Sequence, residues 1–580
     1  MTTAFQGIGI STSRALALGQ AFIDGRGHRH VEPLTIRADQ VEAELARLDR
    51  AVQSARQALK AVRRQIPRHT PINIADFIDT HLLMLEDAVL VEEVRRIVAT
   101  QLCNAEWALK IQRDALVQVF DEMDDPYLRT RRDDIEHVVG QIQTFLHGDV
   151  PAPDLAGQDL QGRVVVARDL TPADAILLRH RGATAFVTEL GGPMSHTAIL
   201  ARSLGVPAVM GLHNITRYLR RNELLLVDSE TGTVLADVDA RTLEHFRERL
   251  RAIEVRQARL RGLVEQPSVT RDGVPISLLA NLELPEDVEL ARANGACGVG
   301  LYRTEFLYMN RRDLPDEEEH LATYTEIVEG LGGLPITIRT LDLGADKQVD
   351  SSTGLTVGVS NPALGLRAIR LCLKEPELFH PQLRAILRVA ALGPVRLMLP
   401  LVSSVREVDT VLGLIEQIKR QLDRDGLDYD PHLPIGAMIE VPAAALVAHA
   451  LARRLDFLSI GTNDLIQYTL AIDRLDESVN DLFDPTHPAI LRLVRMTIEA
   501  ARALDRSVSM CGEMAGDPRF TRLLLGIGLR ELSMQPGALL GIKEIVLQAD
   551  SRELERRSAE LFARLDEDDP GRLIDALNAA

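Results

Sequence analysis

From residue 275 the chain repeats one design: ISLLANL (276–282), GVGLYRTEF (298–306), PITIRTLD (335–342), RLMLPLVS (396–403), IGAMIEV (435–441), FLSIGTND (457–464), SVSMCGE (507–513) and ELSM (531–534). These are eight short runs rich in apolar side chains, long enough for strands buried on both faces. Each of the first seven precedes a helical pattern, such as LATYTEIVEGL (321–331) or PAAALVAHALARRL (442–455). Eight strands, seven of them followed by a helical pattern, over about 260 residues match the ~250 of a (β/α)8 barrel. An open doubly wound sheet is the alternative, since periodicity does not prove closure.

The texture upstream differs. Residues 38–66 set Val41, Leu45, Leu48, Val52, Ala55, Leu59 and Val62 three and four apart with charges between, the stripe of an amphipathic helix. Similar patterns continue through LLMLED (82–87), NAEWALKIQRDALVQVF (104–120) and RRDDIEHVVGQIQTFL (131–146), so residues 25–147 read as an all-helical bundle. After PAPDLAG (151–157) come short β-rich runs, VVVA (164–167), AFVTE (185–189) and ELLLVDSETGTVLAD (223–237), the last with a hairpin turn at DSETG. Residues 241–263 place Leu243, Phe246, Leu250 and Ile253 on one side of an otherwise charged helix, expected to join two bodies. The apolar stretch 442–452 reads as a buried helix, too short to span a membrane.

With 66 basic and 84 acidic residues the chain carries a formal charge of -18, which opposes nonspecific binding to nucleic acid or anionic membranes. Any anionic substrate therefore needs a local basic pocket. Cys103, Cys297, Cys372 and Cys511 form no CxxC pair, so neither a zinc ribbon nor a disulfide framework is expected. The start has no basic region leading into an apolar one, and a reducing cytoplasm is the expected location.

Barrel enzymes carry their chemistry where the strands end. Here those ends supply Arg303, Thr304 and Glu305; Arg339, Thr340 and Asp342; Glu440; Asn463 and Asp464; Cys511 and Glu513. Glu440 and Asp464, from neighbouring strands, can share one hard cation, and the arginines indicate an anion beside it. Such a set suits phosphoryl chemistry, in which a metal and guanidinium forks neutralise phosphate oxygens. A second constellation is GGPMSHTAILARSLGVPAVMG (191–211). Its glycines allow a tight turn, and His196, flanked by Ser195 and Thr197, begins a helix whose free N–H groups and dipole favour a phosphate. Among the remaining histidines, His487 in DPTHPAI is a further candidate.

The segment around His196 resembles the phosphohistidine motif of the phosphoenolpyruvate-protein phosphotransferase family, Enzyme I of the sugar phosphotransferase system. LYRTEFLYMNR, IRTLDLGADK, NPALGLRAIR, MIEVPAAAL, SIGTNDLIQY, DPTHPAILRL, CGEMAGD and GLRELSMQPGA resemble that family's signatures in order, and LLMLED and NAEWAL its helical part. The resemblance implies a multidomain α/β protein: a phosphohistidine α/β domain of residues 1–24 and 148–240 bearing a helical insert at 25–147, a linker helix at 241–264 and a C-terminal (β/α)8 TIM barrel at 265–580.

It further implies that His196 takes the phosphoryl group of phosphoenolpyruvate and passes it to the carrier HPr, docked on the insert. Cys511 would protonate the enolate to pyruvate. Arg303, Arg339, Asn463, Asp464 and Arg474 would bind phosphoenolpyruvate, supported by Lys347 and Arg367, while Glu440 and Asp464 hold Mg2+. Family members are homodimers through the barrel. Met194, Ala345 and Ser360 depart from the family's common threonine, glycine and glutamate, and the loop 348–360 is less charged than usual. A dikinase or phosphoenolpyruvate synthase is disfavoured, since no GxxxxGK[ST] loop is present. A nitrogen-branch relative is disfavoured on the expectation that no sensory domain precedes residue 1. The alternative of a different class is a regulatory phosphocarrier or scaffold with reduced catalysis.

Overall fold

The computed structural model describes residues 2–10, 15–23, 32–65, 80–85, 88–121, 126–146, 160–170, 174–175, 178–179, 181–191, 197–198, 201, 205–308, 313–343, 363–473, 479 and 482–579. They belong to two compact units, Met1–Glu254 and Val255–Ala580.

In the second unit the eight apolar runs become eight parallel strands: β1 (Ser277–Leu282), β2 (Val299–Tyr302), β3 (Ile336–Arg339), β4 (Val395–Leu399), β5 (Ile435–Ile439), β6 (Phe457–Ile460), β7 (Ser507–Met510) and β8 (Glu531–Met534). Each pairs with the next in sequence and β8 pairs with β1, which closes the barrel and excludes an open sheet. Register brings the strand ends level. Ile439 lies opposite Ile460 and Ile460 opposite Met510, so Glu440, Gly461 and Cys511, one residue further on, share one rim.

The outer helices form where the sequence supplies both a face and its stops. Helix Val405–Asp425 begins at Ser404, which accepts from the Glu407 N–H in a capping box, and ends at left-handed Gly426. It buries Val408, Val411, Ile415, Ile418 and Leu422. The stretch 442–452 departs from its reading as one buried helix. It is two short helices, Pro442–Leu446 and Ala448–Ala452, broken at Val447. Small Ala444, Ala445 and Ala448 go inward, while Leu446 is 64% exposed, because only one side packs against helix Pro488–Arg502.

In the first unit, one sheet has the strand order Thr3–Gln6, Thr233–Ala236, Leu224–Asp228, Leu16–Ile23, Arg163–Ala167, Ala185–Thr188, Ala208–Met210, Ile8–Ile10. The hairpin expected at DSETG is present. Asp228 accepts from the Glu230 and Thr231 N–H groups and Gly232 takes φ +68°, as a tight turn requires. Helices Val41–Gln65, Ala88–Gln101, Ala105–Asp121 and Pro126–Leu146 lie between Ile23 and Arg163 in the chain. They share a core of Leu48, Ala55, Val94, Leu109, Val138 and Ile142. Helix Ala240–Arg261 sets Leu243, Phe246, Leu250 and Ile253 against Leu16 and Leu226, and further along its Arg259 pairs with Glu544. No described helix is long and apolar enough to cross a membrane.

Closure leaves little room at the rim. A Cβ on Gly512 would stand 1.9 Å from Thr462 Oγ1 and 2.5 Å from Thr462 N. Gly512→Ala is therefore expected to destabilise the protein by about 1–3 kcal/mol, read as a lowered midpoint in urea or thermal unfolding.

Candidate active site

Five barrel strands deliver charged or nucleophilic groups to one rim, and backbone geometry aims them. Beyond β3 the chain leaves the ladder and exposes two backbone groups. Thr304 Oγ1 donates to Arg339 O at 3.0 Å, and Leu341 N–H donates to Gln382 Oε1 at 3.0 Å. Gln382, fully buried on helix Pro376–Val389, also donates to Thr304 Oγ1 (3.0 Å) and Tyr324 OH (3.2 Å). Tyr324 in turn contacts His320 Nδ1 at 3.0 Å, and His320 Nε2 meets Tyr308 OH at 3.1 Å. This buried network clamps the rim segments after β2 and β3 together. Leu401, after β4, holds φ +52°, a conformation costly for a branched side chain, and its N–H donates to Glu440 Oε1 at 2.5 Å.

The groups so aimed form one electrostatic cluster. Arg339 bridges Glu305 (2.7 Å) and Asp342 (3.1 Å). Arg367 bridges Asp342 (2.9 Å) and Asp464 (3.7 Å). Ligand oxygens of Asp342, Glu440 and Asp464 all lie within 4.8 Å of one another. Among the described residues, four buried carboxylates thus gather around two guanidiniums in a region largely closed to water. Burial, and after it the charges of Asp464 and Asp342, pushes the Glu440 carboxyl up to about 8. An all-oxygen set so crowded with negative charge fits a hard divalent cation. Arg339 and Arg367, held among carboxylates, are raised above the ordinary arginine range.

Around the cluster, Asn463 and Glu513 lock two strand ends. Asn463 Nδ2 donates to Glu513 Oε1 and the Glu513 N–H donates to Asn463 Oδ1, both at 3.0 Å. Arg303 stands at the same rim, partly exposed, paired with Glu283. Cys511 is buried and free, and burial pushes its thiol up, so that it keeps its proton at neutral pH. The structure therefore brings together Arg303, Arg339, Arg367, Glu440, Asn463, Asp464 and Cys511. His196, Lys347 and Arg474 lie outside the described residues, as do Met194, Ala345 and Ser360. Beside His196, Thr197 is buried and donates from Oγ1 to Leu170 O. His487 acts locally, where its Nδ1 accepts from the Ala489 N–H and caps helix Pro488–Arg502.

Two members of the cluster were not read from sequence in these roles. Asp342 appears among the strand-end charges, but nothing in its spacing marks it as the third oxygen donor. Gln382 gives no signal, since one glutamine in an amphipathic helix reads as a surface residue. Gln382→Leu is expected to lower the thermal midpoint, because it strands the buried Leu341 N–H at a cost of about 1–3 kcal/mol. Differential scanning calorimetry checks it.

Comparisons with known proteins agree with this geometry. Family models described as "PEP-utilising enzyme, N-terminal", "PEP-utilising enzyme, mobile domain" and "PEP-utilising enzyme, PEP-binding domain" match residues 8–131, 159–232 and 257–551. The phosphoenolpyruvate-protein phosphotransferase of Cupriavidus necator is 47% identical over 555 residues, covering 94% of this chain and 95% of that one. The phosphoenolpyruvate-protein phosphotransferase of Bacillus subtilis is 37% identical, covering 94% and 95%. Likeness of that degree along nearly the whole of both chains, with the barrel and its ring of acidic and arginine side chains, means that this chain belongs to the phosphoenolpyruvate-protein phosphotransferase family.

Proposed function

We propose that this enzyme of phosphoenolpyruvate-dependent phosphoryl transfer loads the phosphoryl group onto His196 and hands it to a histidine carrier of the HPr type. That is the first step of the sugar phosphotransferase system, and it takes place in the cytoplasm. The observation that carries the reading is the buried cluster of Asp342, Glu440 and Asp464 with Arg339 and Arg367 on the rim that also holds Cys511.

Glu440 and Asp464, with Asp342 closing the set, would hold Mg2+, whose positive charge would offset the negative charge of the substrate. Arg303, Arg339 and Arg474 provide guanidinium forks for the substrate's phosphate and carboxylate oxygens, supported by Lys347 and Arg367. Asn463, fixed by Glu513, offers its amide to the substrate. The His196 imidazole is the nucleophile toward phosphorus, and the leaving enolpyruvate takes its methylene proton from the Cys511 thiol. The barrel is the phosphoenolpyruvate domain and homodimer contact, the sheet of residues 1–24 and 148–240 carries His196, and the helical insert 25–147 docks the carrier. Helix Ala240–Arg261 is the covalent link about which the histidine-bearing part must swing to meet donor and acceptor in turn.

Incubation with labelled phosphoenolpyruvate and Mg2+ is expected to place an acid-labile, base-stable label on His196. His196→Ala in the full chain should abolish the label while calorimetry still records phosphoenolpyruvate binding; loss of both would refute separate binding and acceptor sites.

Mg2+ affinity should depend on pH. Glu440 is protonated below about 8, and a cation must displace that proton, so apparent affinity should rise up to tenfold per pH unit toward pH 8 and then level off. By the same linkage, without a cation the folded state loses stability as pH climbs from the ordinary carboxyl range toward 8. Glu440→Gln should weaken binding and flatten the profile, as measured by Mg2+ titration at several pH values. An unchanged profile removes Glu440 from the ligand set.

A further inference from the structure

Beneath the rim, the barrel interior has a layer that a hydrophobic core does not call for. Bulky branched side chains usually fill such barrels. Here Asn281 of β1, Ser459 of β6, Ser509 of β7 and Ser533 of β8 point inward, each no more than 7% exposed. Buried polar groups cost stability unless they are bonded, and all four are.

Their bonds form two chains that end on the same residue. Ser533 Oγ donates to Asn281 Oδ1 at 2.6 Å, and Asn281 Nδ2 donates to Cys511 O at 3.0 Å, which fixes the backbone. Ser509 Oγ donates to Ser459 Oγ at 2.9 Å, and Ser459 Oγ donates to Cys511 Sγ at 3.3 Å, which fixes the thiol. In the second chain the heavy-atom geometry lets both hydroxyl hydrogens point toward sulfur. Such a chain polarises in one direction and favours negative charge at its end. Among the described residues, the thiol's own hydrogen is aimed at a distant acceptor, Ile460 O, 3.7 Å from Sγ.

We propose that Ser459 and Ser509 are positioning residues for proton donation, stabilising the thiolate left on Cys511 when its proton goes to enolpyruvate. This rests on the reading of Cys511 as the proton donor. In that step the S–H bond breaks and its electron pair stays on sulfur. The proton forms a C–H bond at the methylene carbon with the π electrons of the enolate, and the enolate oxygen becomes the keto oxygen of pyruvate. The thiolate regains a proton from water before the next turnover. A hydroxyl bonded to sulfur gains more from a thiolate than from a thiol, so its effect grows along the reaction and lowers the barrier. Burial and the charge of Glu440 push the other way, holding the proton on sulfur until an acceptor arrives.

The test uses the full chain with Mg2+, phosphoenolpyruvate and an excess of an HPr-type carrier, so that every phosphoryl group has an acceptor and turnover continues. Ser459→Ala should lower kcat for pyruvate formation about tenfold, the worth of one hydrogen bond to a charged group. KM should stay within about twofold and the solvent deuterium isotope effect on kcat should rise, because proton transfer becomes slower. Ser509→Ala, which does not touch sulfur, should shift both in the same direction by less. Unchanged turnover and isotope effect in both variants overturn the proposal, as does a loss of turnover matched by weaker substrate binding. If Ser459→Ala does not fold, Ser509→Ala decides by the same readings. Failure of the unsubstituted protein to consume phosphoenolpyruvate would instead overturn the reading of the whole site.

Discussion

Crowded negative charge at the rim of the barrel is the constraint around which the rest is arranged. Carboxylates so close together repel strongly in a medium of low dielectric, and an isolated one would take up a proton. Glu440 shows that tendency, whereas Asp342 is held by two guanidiniums. Keeping the set together requires rigid backbone beneath it. The closed ladder, the Gln382 clamp and the strained Leu401 supply that rigidity. The site is therefore preorganised for a dication and a polyanion, with reorganisation completed during folding and not during reaction.

Much of this was legible from residue pattern. Strands buried on both faces read as continuous apolar runs, so all eight appeared, and the residue types just beyond them named most of the cluster. What stayed hidden was decided by distance in space. The partnership of Asp342 with Glu440 depends on barrel register, which no single run contains. Gln382 answers to a backbone N–H that becomes orphaned only when β3 ends. The break at Val447 reflects one-sided packing, which an alanine-rich stretch does not reveal. The inward serines at 459, 509 and 533 looked like ordinary strand positions, because period-two alternation tells which residues share a face but not which face meets a thiol.

The net charge of -18 takes on a different sense beside the structure. Excluding bulk polyanions and binding a small one are separate problems. The first is governed by the average surface, the second by a few guanidiniums withdrawn from water, where each is worth more.

Strand Leu16–Ile23 pairs in parallel with Arg163–Ala167, directly beside it, so the helices described between them belong to one crossover connection. Parallel neighbours need some connection of that kind, but its length is free above a minimum. Lengthening, shortening or resurfacing the helices leaves the two strand ends, and hence the sheet that carries the histidine segment, where they are. On the docking role proposed for those helices, natural variation can retune whom the protein meets without reopening the chemistry it performs. Under that proposal the fold keeps recognition and reaction as separately inheritable traits.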